Sequence, residues 1–313
     1  ERNADREDRH INEMKLENQR IYMELQQKNR VIESLQGVQL HLQNEIVKKN
    51  QEYLRMESNF YSHVRQIRAT DDDLSTIQNE LSQVFNLTST LCMGLRSKAD
   101  QVAATKFVLE RWSDREGEIR ARLFKEGDET LDNGYIGLFM EKYIVEVLLD
   151  SLFAPPLMPG LSINGAFQQV EKWFAQRNPE WATRFRQQAS ALVAKQPDEE
   201  ESNIEQAKQE IVKSIMDTIG TLCPKAKDDA NAEKKVLTLI NRAAKLNLAM
   251  KGQELLVETK PIKEGEDTFD AQSMKTANKG NEDGTVFLVI TPAFAANDPS
   301  DTEHGFLVSA KVL

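Results

Sequence analysis

The sequence contains few of the side chains that build disulfide, metal or catalytic sites. Among its 313 residues are four histidines and two cysteines, Cys92 and Cys223. These cysteines are too few for a disulfide framework or a structural zinc site, so we expect no metal and a reducing intracellular compartment, either cytoplasm or nucleus. A glycine-rich phosphate loop and the common hydrolase and metalloprotease motifs are also missing. We therefore predict no cofactor and no enzymatic activity.

Basic charge and long apolar runs are scarce as well. The formal net charge is −10, whereas a nucleic-acid surface needs clustered Lys and Arg that displace counterions. We therefore expect no nucleic-acid binding through this chain. The longest apolar runs, at 143–149 and 286–290, are much too short for a membrane span. Because the chain begins with Glu1 and ends on an apolar run, we expect it to be a piece of a longer protein.

A long heptad pattern is the most specific feature that the sequence does contain. Steps of alternately three and four residues from Ile11 reach mostly apolar side chains as far as Leu95, with no change of register. An ordinary amphipathic helix drifts out of such a pattern, because about 3.6 residues per turn does not match about 3.5. Residues 1–98 are therefore predicted to form one continuous coiled-coil rod. Its predicted dimer seam consists of Ile11, Met14, Asn18, Ile21, Leu25, Ile32, Leu35, Leu42, Ile46, Tyr53, Met56, Phe60, Ile67, Leu74, Ile77, Leu81, Val84, Leu91 and Leu95.

Such a seam requires a second helix of similar length, because a compact domain is too narrow to cover it. No second heptad stretch of this length occurs in the sequence, so we predict a homodimer. Asn18 at an a position favours a parallel two-stranded coil. The run from Asp71 to Asp73 fits either a solvated face of a continuous helix or the first turn of a new one. Because the register is unbroken, we favour continuity.

Residues 99–256 are predicted to form a helical globular domain. Apolar residues recur at helical spacing over 99–124, 135–153, 162–176, 202–222 and 232–255. Another helix is expected where Asn178 precedes Pro179, since Asn is a common N-cap and Pro is favoured at the first helical position. These segments favour a helical bundle.

The last segment, 257–313, is predicted to be an irregular stretch followed by a small β-hairpin packed on the helices. Its strands, 285–291 and 305–312, are rich in β-branched and aromatic residues. One face of this hairpin must be covered by the bundle or by a partner, because an exposed apolar hairpin is an aggregation hazard. The expected fold class is mainly α, with a long N-terminal coiled-coil helix, a helical-bundle domain and this hairpin.

An aromatic cluster is the one candidate binding site within the predicted domain. Trp173, Phe174, Trp181 and Phe185 are close in sequence and fall at helical spacing. They fit a groove for a protein partner, and they also fit packing in a core. Core packing is the interpretation that we favour from the sequence.

The unbroken seam without a catalytic motif favours a non-enzymatic scaffold or adaptor that dimerises and presents a helical protein-binding domain. An enzyme whose globular domain is positioned by the coiled coil is one alternative. A transcription or chromatin-associated factor is another, and Arg2, Arg6 and Arg9 hint at a basic region. Asp5 and Glu7 offset that charge.

Overall fold

The computed structural model describes the backbone of residues 4–67, 69–195, 200–227, 229–297 and 306–313. Side chains are described over the same residues, apart from 4–13, 61–67, 297, 306 and 307. The chain divides into two compact units, Glu1–Val64 and Arg65–Leu313. The predicted mainly α fold class is confirmed. Among the described residues, no helix is long and apolar enough to cross a membrane.

One long helix, α1, spans Ala4–Ile67, has 64 residues and makes up the described part of the first unit. At about 1.5 Å per residue it is roughly 96 Å long. Its apolar seam side chains lie in solvent, with Leu25 54% exposed and Ile32 51% exposed. The long N-terminal helix is therefore confirmed. The seam positions Ile11 and Ile67 have side chains outside the described part of the chain.

The continuous rod as far as residue 98 is wrong, because a second helix, α2, begins at Leu74 and ends at Leu95. Asp73 caps it: its carboxylate accepts hydrogen bonds from the backbone N–H of Thr76 at 2.7 Å and from the Thr76 hydroxyl at 2.8 Å. These bonds lower the pKa of Asp73. An N-cap carboxylate satisfies a helix N–H that has no partner within the helix. The aspartates therefore mark a helix start rather than a solvated face.

The second unit contains α2 and, among its described residues, seven further α-helices. They are α3 Gln101–Arg111, α4 Glu116–Leu123, α5 Asn133–Leu148, α6 Asn164–Ala175, α7 Pro179–Lys195, α8 Glu201–Leu222 and α9 Ala230–Lys251. The helix predicted over 99–124 is divided after Trp112 into α3 and α4, with a short 3-10 turn at Ser113–Arg115 between them. The other predicted helices are present.

The last six residues of the predicted seam belong to the core of this unit. Ile77, Leu81 and Val84 are fully buried, and α2 packs against α5 and α9. A 22-residue helix is too short for the difference between about 3.5 and 3.6 residues per turn to move side chains off one face. A core-facing stripe and a dimer seam therefore look alike in sequence. The seam assignment is corrected for Leu74, Ile77, Leu81, Val84, Leu91 and Leu95.

Six short strands follow α9 within the described residues. They are β1 Leu256–Lys260, β2 Met274–Thr276, β3 Val289–Thr291, β4 Ala293–Asn297, β5 Phe306–Val308 and β6 Ala310–Val312. They form two three-stranded sheets with the orders β1-β4-β5 and β2-β6-β3. Among the pairings of these six strands, that of β2 with β6 is parallel and the others are antiparallel.

The predicted single hairpin is corrected to these two sheets. The two predicted regions do pair antiparallel in one sheet, with Val289 opposite Val312. In the other sheet the second region pairs with β4, where Phe294, outside the first predicted strand, lies opposite Val308. The chain passes between the sheets at Pro292, which has no N–H to donate to a strand ladder. The stretch expected to be irregular supplies β1 and β2. Residues 298–305 lie outside the described part of the chain.

The strands cover one face of the helical bundle, as expected for an apolar strand pair. Phe287, Leu288 and Ile290 belong to the main core. The ring of Phe294 lies 5.8 Å from that of Phe85 in α2 and 6.1 Å from that of Phe153. The predicted segments 99–256 and 257–313 therefore share one core with α2, and the compact unit begins at Arg65 rather than at residue 99.

Candidate functional site

Helices α6 and α7 form a hairpin whose turn is specified locally. The carbonyl oxygen of Phe174 accepts hydrogen bonds from the backbone N–H of Arg177 at 2.9 Å and of Asn178 at 2.7 Å. The side-chain oxygen of Asn178 accepts the N–H of Trp181 at 3.2 Å, and Pro179 is the first residue of α7. The predicted helix start is therefore confirmed.

Polar side chains of α7 attach the hairpin to the end of α9. Arg186 is 4% exposed and donates to the carbonyl oxygens of Gln253 at 3.2 Å and Glu254 at 3.4 Å. Gln187 donates to the carbonyl oxygen of Gly252 at 3.4 Å. These three carbonyls follow Lys251, the last residue of α9, and a cation near the C-terminus of a helix is favourable. Arg186 therefore determines which face of α7 is turned inward.

Charged groups also lie between the hairpin and the body of the unit. The Arg186 guanidinium is 3.8 Å from the carboxylate of Glu171 in α6. Burial raises the pKa of Glu171 and lowers the pKa of Lys251, and in each case the nearby opposite charges act against the shift. Since one terminal nitrogen of Arg186 donates to the carbonyl oxygens of Gln253 and Glu254, just after α9, we interpret this cluster as an anchor for the hairpin.

Five aromatic rings form a continuous chain across the hairpin. At its inner end Phe167, 3% exposed, stacks on Phe185 with ring centroids 4.8 Å apart. Phe185 contacts Phe174 at 5.4 Å. Phe174 in turn contacts Trp173 at 5.3 Å and Trp181 at 6.3 Å. All four predicted groove residues are thus brought together, and Phe167 joins them.

The outer end of this chain is exposed, so the preference for core packing is wrong for the two tryptophans. Trp173 is 52% exposed and Trp181 is 58% exposed, whereas Phe174 and Phe185 are half-buried. Leu192, 60% exposed, follows Trp181 on the outer face of α7. Trp173, Phe174, Trp181, Phe185 and Leu192 are called the aromatic surface. A contiguous apolar patch with polar neighbours is typical of an interaction site.

Basic side chains surround the aromatic surface. The Arg177 guanidinium lies 4.3 Å from the centroid of the Trp173 ring and donates to the Trp173 carbonyl oxygen at 3.1 Å. Lys172 and Arg184 are also exposed, and Glu180 is the one exposed acidic residue on α6, α7 and their turn, because Glu171 is partly buried. The hairpin is therefore locally basic on a chain with a net charge of −10.

A second polar region lies between α2, α5 and the strands, in a cleft lined by Ser89, Arg96, Glu141, Lys279 and Lys311 among others. The Lys311 ammonium donates to both carboxylate oxygens of Glu141, each at 2.8 Å. The two charges neutralise each other and join β6 to α5. We therefore assign this pair to stability rather than to ligand binding.

Neither a metal-ligand group nor a known relative identifies the kind of site in the part of the chain that the structure describes. Among the described residues, no group of three or more His, Cys, Asp or Glu side chains is placed to hold a metal ion. Comparison of the chain with protein-family models, curated proteins and solved structures found no match in any of the three. The functional proposal therefore rests on the geometry of α1 and of the aromatic surface.

Proposed function

We propose that this protein is a non-enzymatic scaffold or adaptor that dimerises through α1 and presents the aromatic surface of each copy to a protein partner. The observation that carries the proposal is the exposed apolar seam on α1. Cys92 and Cys223 are free and buried, which supports a reducing intracellular compartment, cytoplasm or nucleus.

The seam supports dimerisation because its side chains share one face and are more than half exposed. Leu25, Ile32, Leu35 and Leu42 are between 51% and 62% exposed. Fully burying one such side chain stabilises by about 1.5–3 kcal/mol. A few heptads therefore offset the roughly 4–15 kcal/mol that association costs in lost freedom. Only another helix can follow a narrow stripe of this length, and a second copy supplies one with the same register.

A dimer of this kind carries two copies of the aromatic surface. A partner with two matching segments would bind the second one at a high effective concentration, so its avidity would exceed the affinity of one contact. This is the advantage that a scaffold gains from a coiled coil. Asn18 in α1 favours the parallel form.

The solution mass of the full chain and of two α1 variants tests the dimer. The seam variant Ile32→Lys/Leu35→Lys places charges at one a and one d position. Its control, Leu40→Lys/Leu54→Lys, makes the same substitution type at b positions that are also exposed, 60% and 61%. Light scattering after size exclusion should give twice 35.6 kDa for the wild type and the control, and the monomer mass for the seam variant. A monomeric wild type, or a control as disrupted as the seam variant, contradicts the proposal.

A further inference from the structure

We propose that the aromatic surface binds an acidic amphipathic helix of a partner protein, with large apolar side chains on one face and carboxylates beside them. This inference deepens the proposed scaffold function by naming the class of its partner. The contact itself lies within one copy of the chain and does not require the dimer.

The apolar part of the recognition depends on rings that are already held in place. Phe174 contacts Trp173, Trp181 and Phe185, and Phe185 is stacked on the buried Phe167. Rings fixed by one another lose little side-chain freedom when a partner covers them. Exposed tryptophans with such support are typical anchors of protein interfaces.

The dimensions of the surface suit a short helix. Trp181 and Leu192 lie eleven residues apart on the outer face of α7, which is about 16 Å at about 1.5 Å per residue. Trp173 and Val170, 52% and 42% exposed, lie on the neighbouring helix α6. An amphipathic helix of about three turns covers this span with apolar side chains at helical spacing.

The charge of the partner follows from the charges around the rings. Lys172 and Arg184 form no ion pair with any residue that the structure describes, and both are exposed. Arg177 lies over Trp173. The chain as a whole has a charge of −10, so this locally basic hairpin attracts an acidic segment that the net charge of the chain repels. Such complementarity orients a partner and speeds its association.

The same charges argue against two other occupants. A second copy meeting this surface across a twofold axis would bring the same basic group, Lys172, Arg177 and Arg184, onto both sides of the interface. An anionic membrane is recognised by clusters of about 4–8 basic residues. The hairpin exposes four, Lys172, Arg177, Arg184 and Lys195, at the lower end of that range, and the net charge of −10 on the chain opposes its approach to an anionic membrane. The acidic helix is the occupant that these charges favour.

Fluorescence anisotropy with labelled synthetic peptides tests the proposal on the full chain. The probe is an 18-residue amphipathic helix with Leu and Trp on one face and Glu on the other. Its controls are the same peptide with Lys in place of Glu and a scrambled acidic peptide. The acidic helix should bind at least tenfold more tightly than either control, and its affinity should fall as salt rises. Similar affinities for the acidic and basic peptides overturn the proposal.

Variants of the chain locate the contact. Trp173→Ala/Trp181→Ala should weaken binding of the acidic helix at least tenfold. The control Val102→Ala removes an apolar side chain that is 69% exposed on α3, and should leave binding unchanged. Lys172→Glu/Arg184→Glu should weaken binding and reduce its salt dependence. An unchanged affinity in either surface variant overturns the assignment.

Further outcomes identify another occupant or separate the two proposals. The chain could instead co-sediment with phosphatidylserine vesicles, in a way that depends on Trp173 and Trp181, and fail to bind the peptide. That result would make the aromatic surface a membrane contact and overturn the inference. Self-association beyond a dimer that the tryptophan variant abolishes overturns it in favour of a second copy. Unchanged peptide binding by the seam variant Ile32→Lys/Leu35→Lys upholds the contact, whether or not the chain dimerises.

Discussion

Replacing Lys311 by methionine removes the cation from a buried ion pair that joins β6 to α5. Glu141 is 3% exposed, and both of its carboxylate oxygens accept hydrogen bonds from Lys311 at 2.8 Å. The same ammonium donates to the hydroxyl of Ser89 in α2 at 3.2 Å. Methionine keeps an unbranched apolar side chain but not the charge. The variant therefore leaves the Glu141 carboxylate buried without its cation.

The expected loss of stability follows from this geometry. Removing one partner of a fully buried pair typically costs about 3–5 kcal/mol. The Lys311 side chain is 27% exposed, so water reaches one side of the pair, and we expect about 2–3 kcal/mol instead. For a domain of this size that corresponds to a fall in Tm of roughly 4–12 °C. The double variant Glu141→Met/Lys311→Met removes both charges and should recover most of the loss.

Urea unfolding followed by tryptophan fluorescence and near-UV circular dichroism measures these differences. The matched control is Lys106→Met, because Lys106 and Glu110 form an ion pair at 3.7 Å with side chains 74% and 67% exposed. That substitution should change the free energy of unfolding by less than about 0.5 kcal/mol. A Lys311→Met variant as stable as the control refutes the reasoning. So does a double variant that is no more stable than the single one.

Three further predictions concern buried thiols, a strained turn and a pH-dependent ion pair. Both cysteines are buried, and burial raises the pKa of Cys223 to about 11. An aromatic disulfide reagent should therefore label the thiols in urea but not in the native protein, and rapid labelling of the native protein would contradict this. Gly160 has a φ of +84°, and an added Cβ there would meet the backbone of α8, so Gly160→Ala should destabilise by about 2 kcal/mol or more in urea unfolding. Gly165→Ala, which adds a Cβ in open space on α6, should instead be neutral or stabilise by up to about 1 kcal/mol. The Arg242 guanidinium beside Glu80 holds the pKa of that carboxyl below its ordinary 4.5. The ion pair therefore stabilises the fold above about pH 4.5, and this stabilisation is lost as the pH falls through the pKa of Glu80 in the folded state. The stability difference between wild type and Glu80→Gln should accordingly shrink between about pH 7 and about pH 3, and a difference independent of pH would refute the assignment.

Features that depend on neighbours along the chain could be predicted from the sequence. The long helix α1 follows from apolar spacing that persists over many turns. The start of α7 follows from Asn178 and Pro179, because capping and proline geometry act within one turn. The two β-rich regions follow from runs of branched and aromatic residues. The helical segments and the members of the aromatic cluster were therefore accessible without coordinates, but the breaks before Leu74 and at Ser113–Arg115 were not.

Only the tertiary structure decided which apolar faces are covered. The spacing of Leu25 in α1 and of Leu81 in α2 is the same, but Leu25 is exposed and Leu81 is enclosed by α5 and α9. Trp181 is likewise exposed because Arg186, on the opposite face of α7, is held by the carbonyl oxygens of Gln253 and Glu254, just after α9. The periodicity of apolar residues indicates that a helix has an apolar face. Whether that face packs inside the chain or remains available to a partner depends on segments far away in sequence, and their positions result from the packing of the whole unit.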